Sequence, residues 1–294
     1  MVAATLEKTI LVTGASGHIG QEVCTQLRAT GEKLVATDVD EAHSTDFVSC
    51  DLRQTAEVAQ LFRTHPVQVV IHLAAVLPTA YHSDPLAGAA VNLTGSLNLL
   101  HEAINRRVKR FLFASSVSVY GLYGRSTRPL TEDDSTAPDE PYGASKRAIE
   151  LIGESLHHAQ AIEFAALRIA RVVGPGIKKT NSPWRAQIFE SASQTTSISI
   201  PYAADARIGL LHVEDAARML ITLAEAKVIK ECIYNCASET WRAEQLKTLI
   251  EETRRIRVEL GPDGAYAGAT CDGGKFVQEF GLRLRKIRER LLEI

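Results

Sequence analysis

Tyr142 and Lys146 stand four residues apart in PYGASK. In a helix that spacing puts both side chains on one face. An ammonium beside a phenol favours the phenolate and lowers its pKa from about 10, which makes tyrosine a usable base near neutral pH. A nearby hydroxyl can orient the oxygen of a substrate, and Ser116 in FASSVSVYG supplies one just past the end of an expected strand. Ligands collect at the carboxyl ends of parallel strands. Taken alone, Tyr-x-x-x-Lys reads more simply as a surface helix pair. Its place after a serine-rich strand end and downstream of a glycine-rich turn favours catalysis instead.

That turn is TGASGHIG, with Gly14, Gly17 and Gly20 between a strand and a helix. Glycines there permit a tight turn and close approach of a pyrophosphate, which the positive amino end of the helix then faces. The spacing is Gly-x-x-Gly-x-x-Gly rather than Gly-x-Gly-x-x-Gly, and glycine turns also occur for purely structural reasons. Asp38 ends the second strand about 20 residues on, where an acid accepts from adenosine ribose hydroxyls. A carboxylate there repels a 2′-phosphate, so the dinucleotide is expected to be NAD rather than NADP; otherwise Asp38 is an ordinary loop acid. Asp51 and Leu52 follow a short strand candidate, where an acid can meet the adenine amino group. Leu73, Ala74 and Ala75 end the strand VVIHL, where small residues let backbone lie against the cofactor.

Composition narrows the class. The 294 residues are 45% apolar, enough for a substantial core, and 33 basic against 35 acidic residues leave a net charge of −2. No global polyanion-binding surface follows from that balance. No apolar run approaches the roughly 20 residues of a membrane-spanning helix, and MVAATLEKTILVTGASG is not read as a signal peptide. A cytoplasmic protein with no nucleic-acid or membrane partner is expected. The five cysteines lack zinc-binding spacing, so free thiols and no metal are expected.

Strand-like and helix-like patterns alternate through the first half. Strands are expected over 8–13, 33–37, 67–72, 109–114 and 163–169, and helices over 18–30, 55–65, 85–106 and 145–158. Such alternation implies βαβ units and a parallel sheet: a Rossmann-type doubly wound α/β fold with a smaller C-terminal substrate lobe. Later segments are read as helices at 184–193, 213–225, 238–255 and 283–293, and strands at 197–201, 233–237 and 257–260. The dinucleotide-binding domain is expected over 1–171 with returning segments near 210–237. The smaller lobe is expected mainly over 172–294.

In these motifs the chain resembles an extended short-chain dehydrogenase/reductase of the NAD-dependent epimerase/dehydratase family. The carrying residues are TGASGHIG, Asp38, Asp51-Leu52, HLAA at 72–75, Asn92 in VNLTGSLNLL, FASSVSVYG, PLTEDD, PYGASK, ALRIARVVGPG, LLHVEDAARML and DGGKFVQEFGL. The resemblance implies Tyr142 as acid/base, Lys146 on the nicotinamide ribose, and Ser116 on the reacting oxygen. It implies Ser16, His18 and Ile19 in the turn as cofactor contacts with the glycines. Asn92 would support the cofactor site, Ser115 would line the nicotinamide region, and Ile169 would lie at the carboxamide end. Val76 would border the substrate.

Two departures bear on the substrate. Nucleotide-sugar members often carry an asparagine where this chain has Arg171, and an Arg-x-x-x-His segment where Arg207 and His212 are five apart. Arg171 can hold a carboxylate or lactone oxygen through bidentate donation, or make a structural ion pair. Trp184 is either part of a cover over the substrate or a core anchor. Basic residues between Arg283 and Arg290 mark a solvated amphipathic helix, with nucleic-acid binding the alternative. The expected function is hydride transfer from a secondary hydroxyl of a sugar, sugar acid or related polyol to NAD. A nucleotide-sugar 4-epimerase or dehydratase is the enzyme alternative, and a non-catalytic NAD-sensing protein the other. The patterns at 85–106 and 145–158 resemble helices that pair into a homodimer in this family.

Overall fold

A computed structural model describes residues 8–39, 45–125, 128–177, 182–190 and 195–293. Residues 178–181 of the loop before Trp184, and 191–194 of the helix expected there, lie outside the described residues. The strands are β1 (Thr9–Thr13), β2 (Lys33–Asp38), β3 (Phe47–Ser49), β4 (Val69–His72), β5 (Arg110–Ser116) and β6 (Glu163–Ile169). They continue as β7 (Arg171–Val173), β8 (Ser197–Ile200), β9 (Arg207–His212), β10 (Ile233–Asn235), β11 (Glu239–Arg242) and β12 (Arg257–Leu260). The helices are α1 (His18–Thr30), α2 (Thr55–Thr64), α3 (Pro78–Ser83), α4 (Pro85–Ala89), α5 (Ser96–Asn105) and α6 (Pro141–His158). After them come α7 (Trp184–Gln187), α8 (Val213–Glu225), α9 (Ala243–Arg254), α10 (Gly274–Phe280) and α11 (Ile287–Leu292).

Seven strands form the central sheet in the order β10-β6-β5-β4-β1-β2-β3, and every pair in it is parallel. The expected Rossmann-type sheet is therefore present. Alternate residues of each strand feed opposite faces. Ile10, Val12, Ile71 and Leu112 pack with α1 and α8 residues such as Leu27 and Met219. Leu11, Val70, Phe111 and Phe113 pack on the other side with α2, α5 and α6 residues including Leu61, Leu99 and Ile149. Covering both faces is why these strands read as continuous apolar runs. The chain leaves β1 toward β2 and β3, then crosses back to β4 on the other side of β1. That reversal opens a crevice at the strand carboxyl ends.

The later segments build two small sheets, β11-β9-β7 and β12-β8. A third core holds Trp184, Ile188, Ile198, Ile200, Leu246, Ile250 and Leu291. Trp184, 1% exposed, is therefore a core anchor rather than a cover.

Several expected elements change. The helix expected over 85–106 is α4 and α5 joined by a π-helical turn at Ala90–Gly95. The helix expected from Ser145 starts at Pro141, whose missing N–H costs nothing in a first turn. Residues 239–242, expected as helix, instead pair antiparallel with β9, and Arg207–His212, not expected as a strand, is their partner. The terminal helix is only Ile287–Leu292. Its Arg290 is buried and donates to Asp215 (2.8 Å) and Glu214 (2.5 Å) of α8, so it anchors the helix rather than presenting a basic face. All five cysteines are free and buried.

Candidate active site

The glycine turn sits at the carboxyl end of β1. Gly14 has φ of 69°, and a Cβ on it would stand 2.6 Å from the Ala74 backbone nitrogen, so the turn presses directly on the segment after β4. A Cβ on Gly20 would lie 2.1 Å from the Gly14 carbonyl, whereas one on Gly17 would meet only that oxygen, at 3.1 Å. Gly14 and Gly20 thus set the packing of α1 on β1, and Gly17 leaves open space over the helix amino end. Ser16 Oγ and His18 Nε2 are buried there without a hydrogen-bond partner among the described residues. Burial lowers the His18 pKa to about 4, with Arg185 adding to the shift, so the ring is neutral at pH 7. Asp38 closes β2 beside the turn and accepts from the Ser16 N–H at 3.1 Å. Open backbone donors, two unpartnered polar atoms and a strand-end carboxylate fit a dinucleotide's pyrophosphate and ribose.

Behind the turn a buried chain of hydrogen bonds ties β1 to β4 and the π turn. Ser96 Oγ donates to the Asn92 carbonyl at 2.8 Å, so it accepts from His72 Nε2 at 2.8 Å. That tautomer leaves Nδ1 to accept from Thr13 Oγ1 at 2.7 Å. Burial holds the His72 pKa at about 3, helped by the Lys146 charge. Asn92 clamps the Val76 backbone, accepting from its N–H at 2.7 Å and donating to its carbonyl at 3.0 Å. Its side chain therefore fixes the segment after β4, and the π turn is what aims it there. Leu52 is buried in the core, and Asp51 is held by the Arg53 guanidinium at 2.8 Å.

Ser116 is the last residue of β5, not a residue beyond it, and pairs in register with Ile169 at the end of β6. A Cβ on Gly143 would stand 2.5 Å from the Ser118 carbonyl, so glycine at that position lets the start of α6 lie against this edge. Tyr142, in the first turn of α6, is buried. Burial pushes its phenol up to about 12, against the pull of a hydrogen bond with Ser116. Lys146 is one turn further on, with Nζ 5.6 Å from the centre of the Tyr142 ring and 4.7 Å from that of Phe113. Its ammonium donates to the Ala114 carbonyl at 2.7 Å, and burial lowers its pKa to about 7, opposed by Glu150. The expected lowering of the phenol by Lys146 is thus not met in this geometry: the ammonium is turned to a main-chain oxygen, and desolvation dominates.

Ser115 also departs from its expected role. It points with Phe113 toward α6, is 3% exposed, and donates to Glu150 Oε1 at 2.5 Å. Glu150 and Arg168, absent from the sequence-derived site, form a buried bidentate pair with both contacts at 2.9 Å. The signal was present, because a charged residue inside the apolar run ALRIA needs a buried partner.

Arg171 opens β7, two residues beyond Ile169. Its guanidinium lies 4.9 Å from the centre of the Tyr202 ring and donates to the Ala267 carbonyl at 3.1 Å. No carboxylate is among these contacts, so the structural ion pair is not seen among the described residues. Arg185 lies close enough for the two charges to oppose each other. Arg207 is not brought beside Arg171. Arg171 pairs with Leu210, three residues along β9 from Arg207, or about 10 Å.

The comparisons agree with this geometry. The model of the NAD dependent epimerase/dehydratase family matches residues 10–237. A UDP-glucose 4-epimerase of Halalkalibacterium halodurans is 30% identical over 172 residues, 56% of this chain and 51% of that protein. The chain thus spans about half the length of such curated relatives. An uncharacterized epimerase/dehydratase of Staphylococcus saprophyticus is 26% identical over 83% of this chain and 80% of its own. Among solved structures, the Thermus thermophilus UDP-glucose 4-epimerase in complex with NAD has a TM-score of 0.82 at 24% identity, covering 97% of this chain and 96% of that one. Trypanosoma brucei L-threonine 3-dehydrogenase has a TM-score of 0.88 at 18% identity, covering 97% and 94%. With the family model running through the glycine turn, Ser116, Tyr142 and Lys146, the chain belongs to the NAD-dependent epimerase/dehydratase family, and its cofactor is NAD.

Proposed function

We propose that the protein is an NAD-dependent oxidoreductase acting on a secondary hydroxyl of a sugar, sugar acid or related polyol. The observation that carries this is the meeting of Ser116, Tyr142 and Lys146 at the carboxyl end of β5, on the same end of the parallel sheet as the glycine turn after β1. NAD, when bound, supplies the hydride acceptor. Gly14, Ser16, Gly17, His18, Ile19 and Gly20 would hold its pyrophosphate, Asp38 its ribose, and Asp51 with the Leu52 backbone its adenine. Leu73, Ala74, Ala75 and Ile169 would border the nicotinamide end, with Asn92 holding that wall in place. Ser116 orients the substrate hydroxyl and Tyr142 takes its proton; Lys146, which donates to the Ala114 carbonyl in this geometry, would have to turn toward Tyr142 to favour the phenolate. Val76 lines the substrate space.

Arg171 supports an anionic or lactone-bearing substrate, since its guanidinium lies 4.9 Å from the centre of the Tyr202 ring with no carboxylate among its contacts given above. Arg171→Leu is expected to raise the KM for a sugar acid about ten- to hundredfold, the worth of a hydrogen bond to a charged group, with a smaller change in kcat. Initial rates over a concentration series check it, and an unchanged KM removes Arg171 from substrate binding.

A second reading, nucleotide-sugar 4-epimerisation, is supported by relatives at 30% identity named UDP-glucose 4-epimerase. Both readings ask the same proton handling of Tyr142. The purified protein with NAD and a panel of sugars, sugar acids and UDP-sugars separates them. NADH absorbance with a free sugar acid supports the dehydrogenase. Epimerised product by NMR, on UDP-sugars alone, overturns it.

A homodimer through α5 and α6 is also proposed. Leu97, Leu151 and Ile152 are exposed at 38%, 51% and 37%, an apolar set on the two expected interface helices. Leu93 and Leu156, within the same two patterns, are packed against the core instead. Light scattering at micromolar concentration should give a dimer, and Leu151→Glu with Ile152→Glu a folded monomer. A monomeric wild type refutes the interface.

A further inference from the structure

Glu150 is fully buried, yet it sits where four donors converge from three elements. Oε1 accepts from Ser115 Oγ of β5 at 2.5 Å and Arg168 Nε of β6 at 2.9 Å. Oε2 accepts from Arg168 Nη2 and from Arg147 Nη1 of α6, both at 2.9 Å. The network extends outward. Arg168 Nη1 donates to the Tyr120 hydroxyl at 2.8 Å, which reaches Asn235 Oδ1 of β10 at 2.9 Å. Asn235 Nδ2 in turn donates to the Leu130 carbonyl at 2.9 Å.

A buried ion pair is poor evidence for a stabilising role, since a matched apolar pair often serves as well. Its position suggests another purpose. Glu150 follows Lys146 by one helical turn, and the strand end it fixes, Ser115, precedes Ser116. The titratable groups around Lys146 are His72 from β4, neutral as shown above, and Tyr142 and Glu150 from α6. Arg168 from β6 stands behind Glu150, and β5 contributes the Ala114 carbonyl and the Phe113 ring. Among these Glu150 is the one carboxylate.

We propose that Glu150 is a positioning residue for the active site: it anchors the β5 and β6 ends beneath Ser116 and supplies the negative charge that balances the buried Lys146 ammonium. The proposal rests on the roles given above to Tyr142 and Lys146, but half of its test needs no substrate.

Lys146 titrates near 7 in the fold and near 10.5 unfolded, so the unfolded chain holds more protons between those values. Folding is therefore disfavoured by the buried ammonium below about pH 7, and that cost is relieved as pH rises toward 10. Urea unfolding of the cofactor-free protein across pH 5–10, referenced to Lys146→Met, reads this rise. In Glu150→Gln/Arg168→Met, which removes both buried charges, the rise should begin about one pH unit lower. In Arg168→Lys, which keeps both, it should stay in place. Glu150→Gln alone gives the same comparison if the double variant does not fold. An unmoved rise overturns the proposal.

On a substrate found by the panel, the acid limb of the rate profile should move up by about one unit in the double variant, with kcat reduced. A lower kcat on an unmoved profile would mean structural support only and also overturns the proposal. Absence of any turnover in the wild type would count against the proposed function, while the unfolding series would still decide the role of Glu150.

Discussion

Tyr142→Phe is expected to lower turnover by about 10²–10⁴-fold, the usual worth of a positioned acid/base, while leaving the fold and NAD affinity close to wild type. The ring is buried, 8% exposed, and phenylalanine fills the same space, so no cavity forms. What disappears is the hydroxyl that shares a hydrogen bond with Ser116. NADH absorbance reads the chemical step, and calorimetry with NAD reads binding. The pH dependence has a definite sign. Tyr142 must be deprotonated to accept a proton, and burial pushes its phenol up to about 12. Oxidation should therefore speed up with rising pH across the neutral and mildly alkaline range. Lys146 acts in opposition once its ammonium turns from the Ala114 carbonyl to the phenol, since losing its charge above about 7 then removes the stabilisation of the phenolate. The slope should thus be shallower than one decade per pH unit. Full turnover in Tyr142→Phe, or a profile flat from pH 6 to 10, would remove Tyr142 from the chemistry.

The parts of the site legible in the sequence are those whose chemistry is local. Gly14, Gly17 and Gly20 fall within one turn, and Tyr142 and Lys146 within one turn of helix, so spacing alone places them. The central sheet was legible for a related reason: strands buried on both faces leave unbroken apolar runs. The small sheets were not, because β9 and β11 owe their existence to pairing with each other, and strand preference depends on such context. Residues 239–242 had enough polar character to pass for the start of α9. Glu150 and Arg168 escaped because their partnership spans two elements. Arg171 and Arg207 are both expected at the substrate, and only the strand register, in which Arg171 pairs with Leu210, shows that they do not lie side by side. The direction of the Lys146 ammonium, toward the Ala114 carbonyl at 2.7 Å, depends on where β5 ends relative to α6, which spacing along one helix does not specify.

The glycine turn offers a sharper test of cofactor binding than any loss of activity, because two of its glycines are open to opposite expectations. Gly17 has φ of −72° and ψ of 166°, a backbone any residue adopts, and its Cβ would meet only the Gly14 carbonyl, at 3.1 Å. Gly17→Ala should therefore cost the fold little, about 1 kcal/mol including the poorer helix cap. Its methyl would stand over the helix amino end, where the pyrophosphate must approach. Losing even one or two charge-assisted hydrogen bonds there should weaken NAD about tenfold to several hundredfold. Gly20→Ala differs, because its Cβ would fall 2.1 Å from the Gly14 carbonyl and 2.8 Å from Ala15 Cα. Backbone then meets backbone, so α1 must move off β1 at a cost of about 1–3 kcal/mol or more, or several degrees in Tm. Calorimetry with NAD and thermal unfolding without it together give the pattern: Gly17→Ala loses affinity at nearly constant Tm, and Gly20→Ala loses both. If Gly17→Ala bound NAD as tightly as the wild type, the pyrophosphate would have to lie elsewhere. The unpartnered Ser16 Oγ and His18 Nε2 would then need another ligand.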